Sequence, residues 1–316
     1  RLRSRIFKMA VFRKLFVVAV TGAASASAFS MSPAGIPSTA SNTAPLRAAS
    51  GAAPRSARAA SLSLEMARVP FIAGNWKMNP TSVSEALTLA KAIADGKGSS
   101  KAQVAICVPH PYLDACGPIF SAGGVELGAQ GCYFEQKGAF TGATSTSMIK
   151  SVGAQHVLVG HSERRVVFKQ SDETINNNLL KILEEGLKPI LCIGESKEEY
   201  DQGLNTQICA MQLAKGLKGV TKAQMADVTV AYEPVWAIGT GLVCDAPIAQ
   251  DVHKFIRGWL AKMYDEPTAD AVRIQYGGSV TPESVDELMG MPDIDGCLVG
   301  GASLDPVKFT RIMNFQ

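Results

Sequence analysis

His156-Val157-Leu158-Val159-Gly160-His161-Ser162-Glu163-Arg164-Arg165 passes from a short run suited to a buried strand, through a glycine, into an imidazole and a charged stretch suited to a helix start. The pattern recurs along the chain. From Val69 onward eight such runs can be counted: Val69 to Gly74, Gln103 to Val108, Glu126 to Ala129, His156 to Gly160, Lys188 to Ile193, Val228 to Tyr232, Val272 to Tyr276 and Gly296 to Val299. Several are nearly all apolar, as parallel strands buried on both faces are. Between them Val83 to Asp95, Asp172 to Glu185, Glu198 to Lys215 and Pro247 to Tyr264 carry apolar residues three and four apart, the period of a helix with one covered face. Ser171-Asp172, Pro247 and Thr281-Pro282-Glu283-Ser284 mark helix starts.

Strands alternating with helices read as βα units and a parallel sheet. Eight units either close into a barrel or stay open as a doubly wound sheet, and the open form calls for a glycine-rich dinucleotide turn after an early strand. No G-x-G-x-x-G follows Gly74. A stretch of about 250 residues also matches the length of one (β/α)8 barrel. The expected fold is therefore α/β, a single (β/α)8 barrel over residues 68 to 316, preceded by a disordered targeting extension over 1 to 67.

Composition separates those two parts. Of the 31 basic and 28 acidic residues in the chain, residues 1 to 66 hold nine Lys or Arg and one acid, Glu65, so 67 to 316 holds 22 and 27, a net charge of −5. The barrel has no excess of positive charge for a phosphate backbone, which argues against a nucleic-acid partner. Within the leader, Arg13-Lys14 precedes the apolar run Leu15 to Val20, and Ala26-Ser27-Ala28 supplies small residues for cleavage, with Met9 as the start. That run falls short of the roughly 20 residues that span a bilayer, so a signal peptide is expected rather than an anchor, and no stable membrane association once it is removed. Residues 29 to 62 follow, rich in Ser, Ala and Pro with Arg47, Arg55 and Arg58 and no acid, the composition of a transit peptide. Signal and transit segments in tandem, with Phe29 after the cleavage point, resemble the leaders of algae with complex plastids. The expected destination is the plastid stroma, with a cytoplasmic protein as the alternative; a low-complexity tail without a sorting role and simple secretion are the other readings.

In a barrel the site lies at the C-terminal ends of the strands, so the residues just after each strand are the candidates. After the first come Gly74-Asn75-Trp76-Lys77-Met78-Asn79, with Asn75 and Lys77 two apart on extended backbone; a lone Lys is usually a solvated charge. His161 follows the fourth, and an isolated His is as often structural as catalytic. Glu233 follows the sixth, held extended by Pro234 at the head of an apolar loop ending in glycines. Gly277-Gly278-Ser279 and Gly300-Gly301-Ala302 follow the last two strands, where barrels hold phosphate on backbone N–H groups, although most glycine pairs only make turns. Together a carboxylate, an imidazole and an ammonium beside a phosphate cradle describe an enolisation site. Glu233 can move a proton between carbons flanking a carbonyl, while His161 and Lys77 stabilise charge growing on the oxygens.

The runs around Asn75, His161, Glu233, Gly277 and Gly300 resemble the triosephosphate isomerases over about residues 68 to 316. The resemblance implies a TIM barrel that interconverts D-glyceraldehyde 3-phosphate and dihydroxyacetone phosphate through an enediol(ate), in glycolysis, gluconeogenesis and carbon fixation. It implies Glu233 as base, His161 as neutral electrophile and Lys77 as the cation for substrate. Asn75, Gly239, Ser279, Gly300 and Gly301 would hold substrate, Glu163 would support the site, and Pro234, Val235, Trp236, Ala237, Ile238, Gly239, Thr240 and Gly241 would form a closing lid, with Trp236 and Ile238 read as lid rather than core. It also implies a homodimer in which Gln136 to Ala143 inserts into the neighbour. Ala143 stands where the family usually has Glu, removing a carboxylate expected to meet Arg164.

No cofactor and no metal are expected, since proton transfer needs neither and no His, Cys or Asp cluster has ligand spacing. The seven cysteines lack a C-x-x-C pair, which argues against a zinc site or disulfide framework. The rival readings are another phosphate-binding barrel isomerase acting on a larger sugar phosphate, and a barrel that has lost catalysis and serves as a binding or structural protein.

Overall fold

The computed structural model describes residues 68–240 and 244–316, so the leader expected over 1 to 67, and Gly241 of the expected lid, lie outside the described residues. Eight parallel strands close into a barrel in chain order: β1 (Phe71–Asn75), β2 (Gln103–Val108), β3 (Glu126–Ala129), β4 (His156–Val159), β5 (Lys188–Ile193), β6 (Thr229–Tyr232), β7 (Arg273–Tyr276) and β8 (Gly296–Val299). Closure sets Phe71 opposite Gly296 and Gly74 opposite Val299, so no strand edge is left open.

Side chains alternate across each strand. Phe71, Ala73, Ala105, Cys107, Leu158, Ile190, Cys192, Ala231 and Leu298 form the cluster inside the barrel. Large and small side chains together fill that narrow space. Their neighbours Ile72, Val104, Ile106, Val157, Val230, Ile274 and Val299 belong to the larger cluster shared with the helices. Burying each such side chain contributes roughly 1.5–3 kcal/mol.

The helices follow from local chemistry. Val83–Lys97 buries Ala86, Ala90, Ile93 and Ala94, and the Ser82 side chain accepts the Glu85 N–H at its start. Asp172–Glu184 buries Ile175, Leu179 and Ile182 behind a Ser171 cap, and Ala246–Met263 carries Pro247 in its first turn.

Some expectations need correction. Glu198 to Lys215 is two helices, Lys197–Asp201 and Asn205–Gly216; Gly203 between them takes φ +70, a left-handed conformation that ends a helix and that apolar spacing does not register. Thr281 caps a turn, its Oγ1 accepting the N–H groups of Glu283 and Ser284 at 3.3 Å, and the helix is Val285–Met289. β1 starts at Phe71 rather than Val69, because Pro70 has no N–H to give a ladder. β4 stops at Val159, since Gly160 turns the chain with φ +74; β6 and β7 each begin one residue later than expected.

Candidate active site

β1 ends in Asn75, which is buried and accepts the Lys77 N–H on Oδ1 at 2.9 Å. That short turn holds Lys77 at φ +52, a left-handed conformation a residue with a Cβ rarely adopts. The Lys77 Nζ then lies 2.8 Å from Glu163 Oε1. His161 follows β4 after the Gly160 turn and caps the helix Ser162–Val166, its Nδ1 accepting the Glu163 N–H at 3.2 Å. Glu233 follows β6 and is 2% exposed. Its Oε1 lies 2.9 Å from His161 Nε2, and its Oε2 accepts the Ser162 N–H at 2.8 Å.

This bonding fixes the imidazole's tautomer. Nδ1 is occupied as an acceptor, so the ring proton sits on Nε2 and is donated to Glu233. Burial opposes charge on both partners, and their mutual contact outweighs it. The Glu233 carboxyl is held below the usual carboxylate range, and His161 is held above the usual imidazole value by Glu233 and then Glu163. Protonating Nδ1 would displace the Glu163 N–H, so the imidazole is the neutral Nε2 donor above its transition.

Asn75, Lys77, His161 and Glu233 share one cavity of about 660 Å³. Its other wall holds Ile238, Gly239, Ser279, Gly300 and Gly301, so the residues expected to hold substrate lie around one space. The glycine after β7 is also a packing requirement: a Cβ on Gly277 would lie 3.0 Å from Glu233 Cγ and push on the carboxylate. Among the described residues, no His, Cys, Asp and Glu group is arranged to hold a metal ion, and no helix is long and apolar enough to cross a membrane.

Comparison with known proteins adds to this geometry. The triosephosphate isomerase family matches residues 70–316. The chain belongs to the triosephosphate isomerase family. It is similar to the triosephosphate isomerase of Carboxydothermus hydrogenoformans, 47% identical over 246 residues that cover 78% of this chain and 98% of the relative. It is 46% identical to that of Chlorobium luteolum over 248 residues, 78% of this chain and 98% of the relative. The triosephosphate isomerase of Lactobacillus acidophilus is 45% identical over 255 residues, 79% of this chain and all of the relative.

In this barrel the loop after Glu233 is fastened at its start. Val235–Ala237 forms one 3-10 turn, and Trp236, expected as lid rather than core, lies in the loop and is nonetheless buried. Its Nε1 donates to Glu195 Oε1 at 2.8 Å, and Tyr232 OH donates to the same oxygen at 3.0 Å. Tyr200 packs on the indole with ring centres 4.3 Å apart. Burial raises the Glu195 carboxyl above its usual range, against the two donors. Ile238 faces the cavity, Gly239 takes φ +67, Thr240 Oγ1 donates to the Trp236 carbonyl at 2.6 Å, and Ser279 Oγ donates to the Ala237 carbonyl at 2.8 Å.

Glu195 is absent from the residues singled out in the sequence. It stands two positions after β5, so interrogating the end of every strand points to it; Gln130, directly after β3, is found the same way. Glu163, expected as support, has its Oε1 2.8 Å from Lys77 Nζ. Arg164 has its guanidinium 4.5 Å from the centre of the Phe168 ring, where a carboxylate at position 143 is absent.

Proposed function

We propose that this chain interconverts D-glyceraldehyde 3-phosphate and dihydroxyacetone phosphate by proton transfer through an enediol(ate). The observation that carries this reading is the placement of Glu233, His161 and Lys77 around one cavity that also meets the glycine turns after β7 and β8. Glu233, ionised and shielded from water, takes the proton from the carbon beside the carbonyl and returns it to the neighbouring carbon, a role worth about 10²–10⁴-fold. The Nε2–H that His161 gives to Glu233 is the donor that substrate oxygen competes for, so substrate both binds the imidazole and releases the base. Lys77 brings the cation for the phosphorylated substrate, and backbone N–H groups of Gly239, Gly300 and Gly301 take its phosphate, with Ser279 and Asn75 ordering the same space. Closure of Pro234 to Gly241 would exclude water, which strengthens these terms and keeps the enediolate from expelling phosphate.

The purified chain should catalyse the exchange in both directions and wash solvent deuterium into product. Absence of turnover with triose phosphates, beside turnover of a larger sugar phosphate, would transfer the assignment to the rival isomerase.

A homodimer is part of the same proposal. Val166, Val167 and Phe168 are 57, 67 and 63% exposed beside a groove of about 710 Å³ that reaches Lys77, and Phe140 stands 40% exposed in the loop Gln136 to Ala143. Such an apolar rim favours cover by a second copy. Sedimentation at micromolar concentration should give a dimer. Import into a complex plastid is supported by the composition of residues 1 to 66, and the pathways served there would be carbon fixation and sugar breakdown; a fluorescent fusion of residues 1–67 that stays in the cytoplasm would remove that reading.

A further inference from the structure

Lys77 is held in an unfavourable conformation in order to point into the cavity. A left-handed backbone is unfavourable for a residue bearing a Cβ, so neighbouring groups have to hold it. Its N–H is bound by Asn75 Oδ1. Its carbonyl is bound by Gln130 Nε2 at 2.7 Å, and the same amide nitrogen donates to the Cys107 carbonyl at 3.0 Å. Gln130 follows β3 and Cys107 lies in β2, so one side chain ties the loop after β1 to the strand beside it and to the end of the next.

We propose that Gln130 is a positioning residue for the reaction, acting through the backbone of Lys77 to place its ammonium. This rests on the reading of Lys77 as the substrate's cation. Asn75 and Gln130 bracket a single residue, one on its N–H and one on its C=O, and together they select the left-handed conformation over the extended one. Both protons of the Gln130 amide nitrogen are then directed at backbone carbonyls, which leaves its function structural in contact and catalytic in effect. Without that grip the Lys77 carbonyl loses its donor, the backbone relaxes, and Nζ leaves the position set opposite Glu163.

The test is a double-mutant cycle on the full chain with Gln130→Met, which keeps the length and removes the donor, and Lys77→Ala. Gln130→Met should lower kcat/KM on the order of 10- to 100-fold, the range that misplacement by about an ångström produces. KM should rise as well, because the ammonium meets the phosphorylated substrate before reaction. In the Lys77→Ala background the same substitution should change kcat/KM by less than about 2-fold, since there is no ammonium left to place. A full additional loss in that background, or a folded Gln130→Met with wild-type KM and kcat, overturns the proposal. Should Gln130→Met fail to fold, Gln130→Asn keeps an amide one methylene too short to reach the Lys77 carbonyl and carries the same expectation in the same cycle. If Lys77→Ala alone leaves activity intact, the reading of Lys77 has failed, which is a different outcome from failure of Gln130.

Discussion

Strand β4 has a carboxylate–imidazole pair at each end. At its C-terminal end His161 meets Glu233; at its N-terminal end His156 meets Glu126, again through Nε2, and both imidazoles are almost fully buried. The surroundings differ. Glu233 and His161 open onto a cavity and spend their remaining contacts on backbone N–H groups of the following helix. Glu126 also accepts from Gln103 Nε2 at 2.6 Å, Gln103 is bonded to Arg273, and Phe71 packs on His156 at 4.9 Å with the Arg273 guanidinium 4.7 Å from the ring on its other contact. The lower pair is a plug in the floor of the barrel. A paired carboxylate and imidazole therefore make a site only where space for a ligand adjoins them, which is why catalytic residues collect at one end of such barrels and stabilising ones at the other.

The largest expected effect breaks the symmetry outright. Glu233→Gln keeps the shape and the contact with the Ser162 N–H but removes the carboxylate proposed as base, and turnover should fall by about 10²–10⁴-fold. Glu126→Gln should leave turnover unchanged. Steady-state assays of the two variants side by side decide the matter, and a comparable loss in Glu126→Gln would deny that the two ends do different work.

The next effect concerns how the upper pair is covered. Trp236→Phe retains packing on Tyr200 but removes one of two donors to a buried Glu195 oxygen, which keeps the Tyr232 hydroxyl; a hydrogen bond to a charged group is worth about 1.5–3 kcal/mol. Because that bond fastens the start of the loop over Glu233, kcat should fall by roughly 10-fold, with little change in Tm if the loop is uncoupled from the barrel. Glu126→Gln should give the reverse, a lowered Tm with kcat intact. A Trp236→Phe variant that melts early and turns over normally would make the indole part of the barrel core alone.

Much of this was legible in the residues. The eight runs and their order come from apolar content and spacing, which reflect burial on both faces of a parallel strand, and the polar residues behind β1, β4 and β6 do line one cavity. What spacing cannot register is conformation decided by a single glycine, as at Gly203, or by a threonine whose oxygen serves a turn as readily as a helix, as at Thr281. Glu195 and Gln130 escaped for another reason. Each is an ordinary polar residue in sequence, and its importance lies in which backbone or ring it touches across the fold. The Glu126–His156 plug is invisible for the same reason, its members lying 30 positions apart.

The smallest expected effect is in how stability follows pH, and here the two imidazoles should differ in sign. Burial holds His156 below its usual value despite Glu126, so below about 6.5 the unfolded chain takes up a proton that the folded one refuses, and stability falls as pH falls. Glu126 acts in the same direction at lower pH, because its carboxyl is held at about 2, the burial penalty being outweighed by His156, Gln103 and Lys188; its contribution is present above about 4.5 and fades towards 2. His161 is held above its usual value, so its contribution is present below about 6.5 and is lost as pH rises through the folded transition. Between pH 7.5 and 5, His156→Asn should therefore reduce the acid-side loss of Tm, and His161→Asn should increase it, each by on the order of 2–4 °C for a kilocalorie of linkage. Shifts of the same sign in both variants would mean that the floor of the barrel and its mouth titrate alike, and the distinction between plug and site would then rest on the cavity alone.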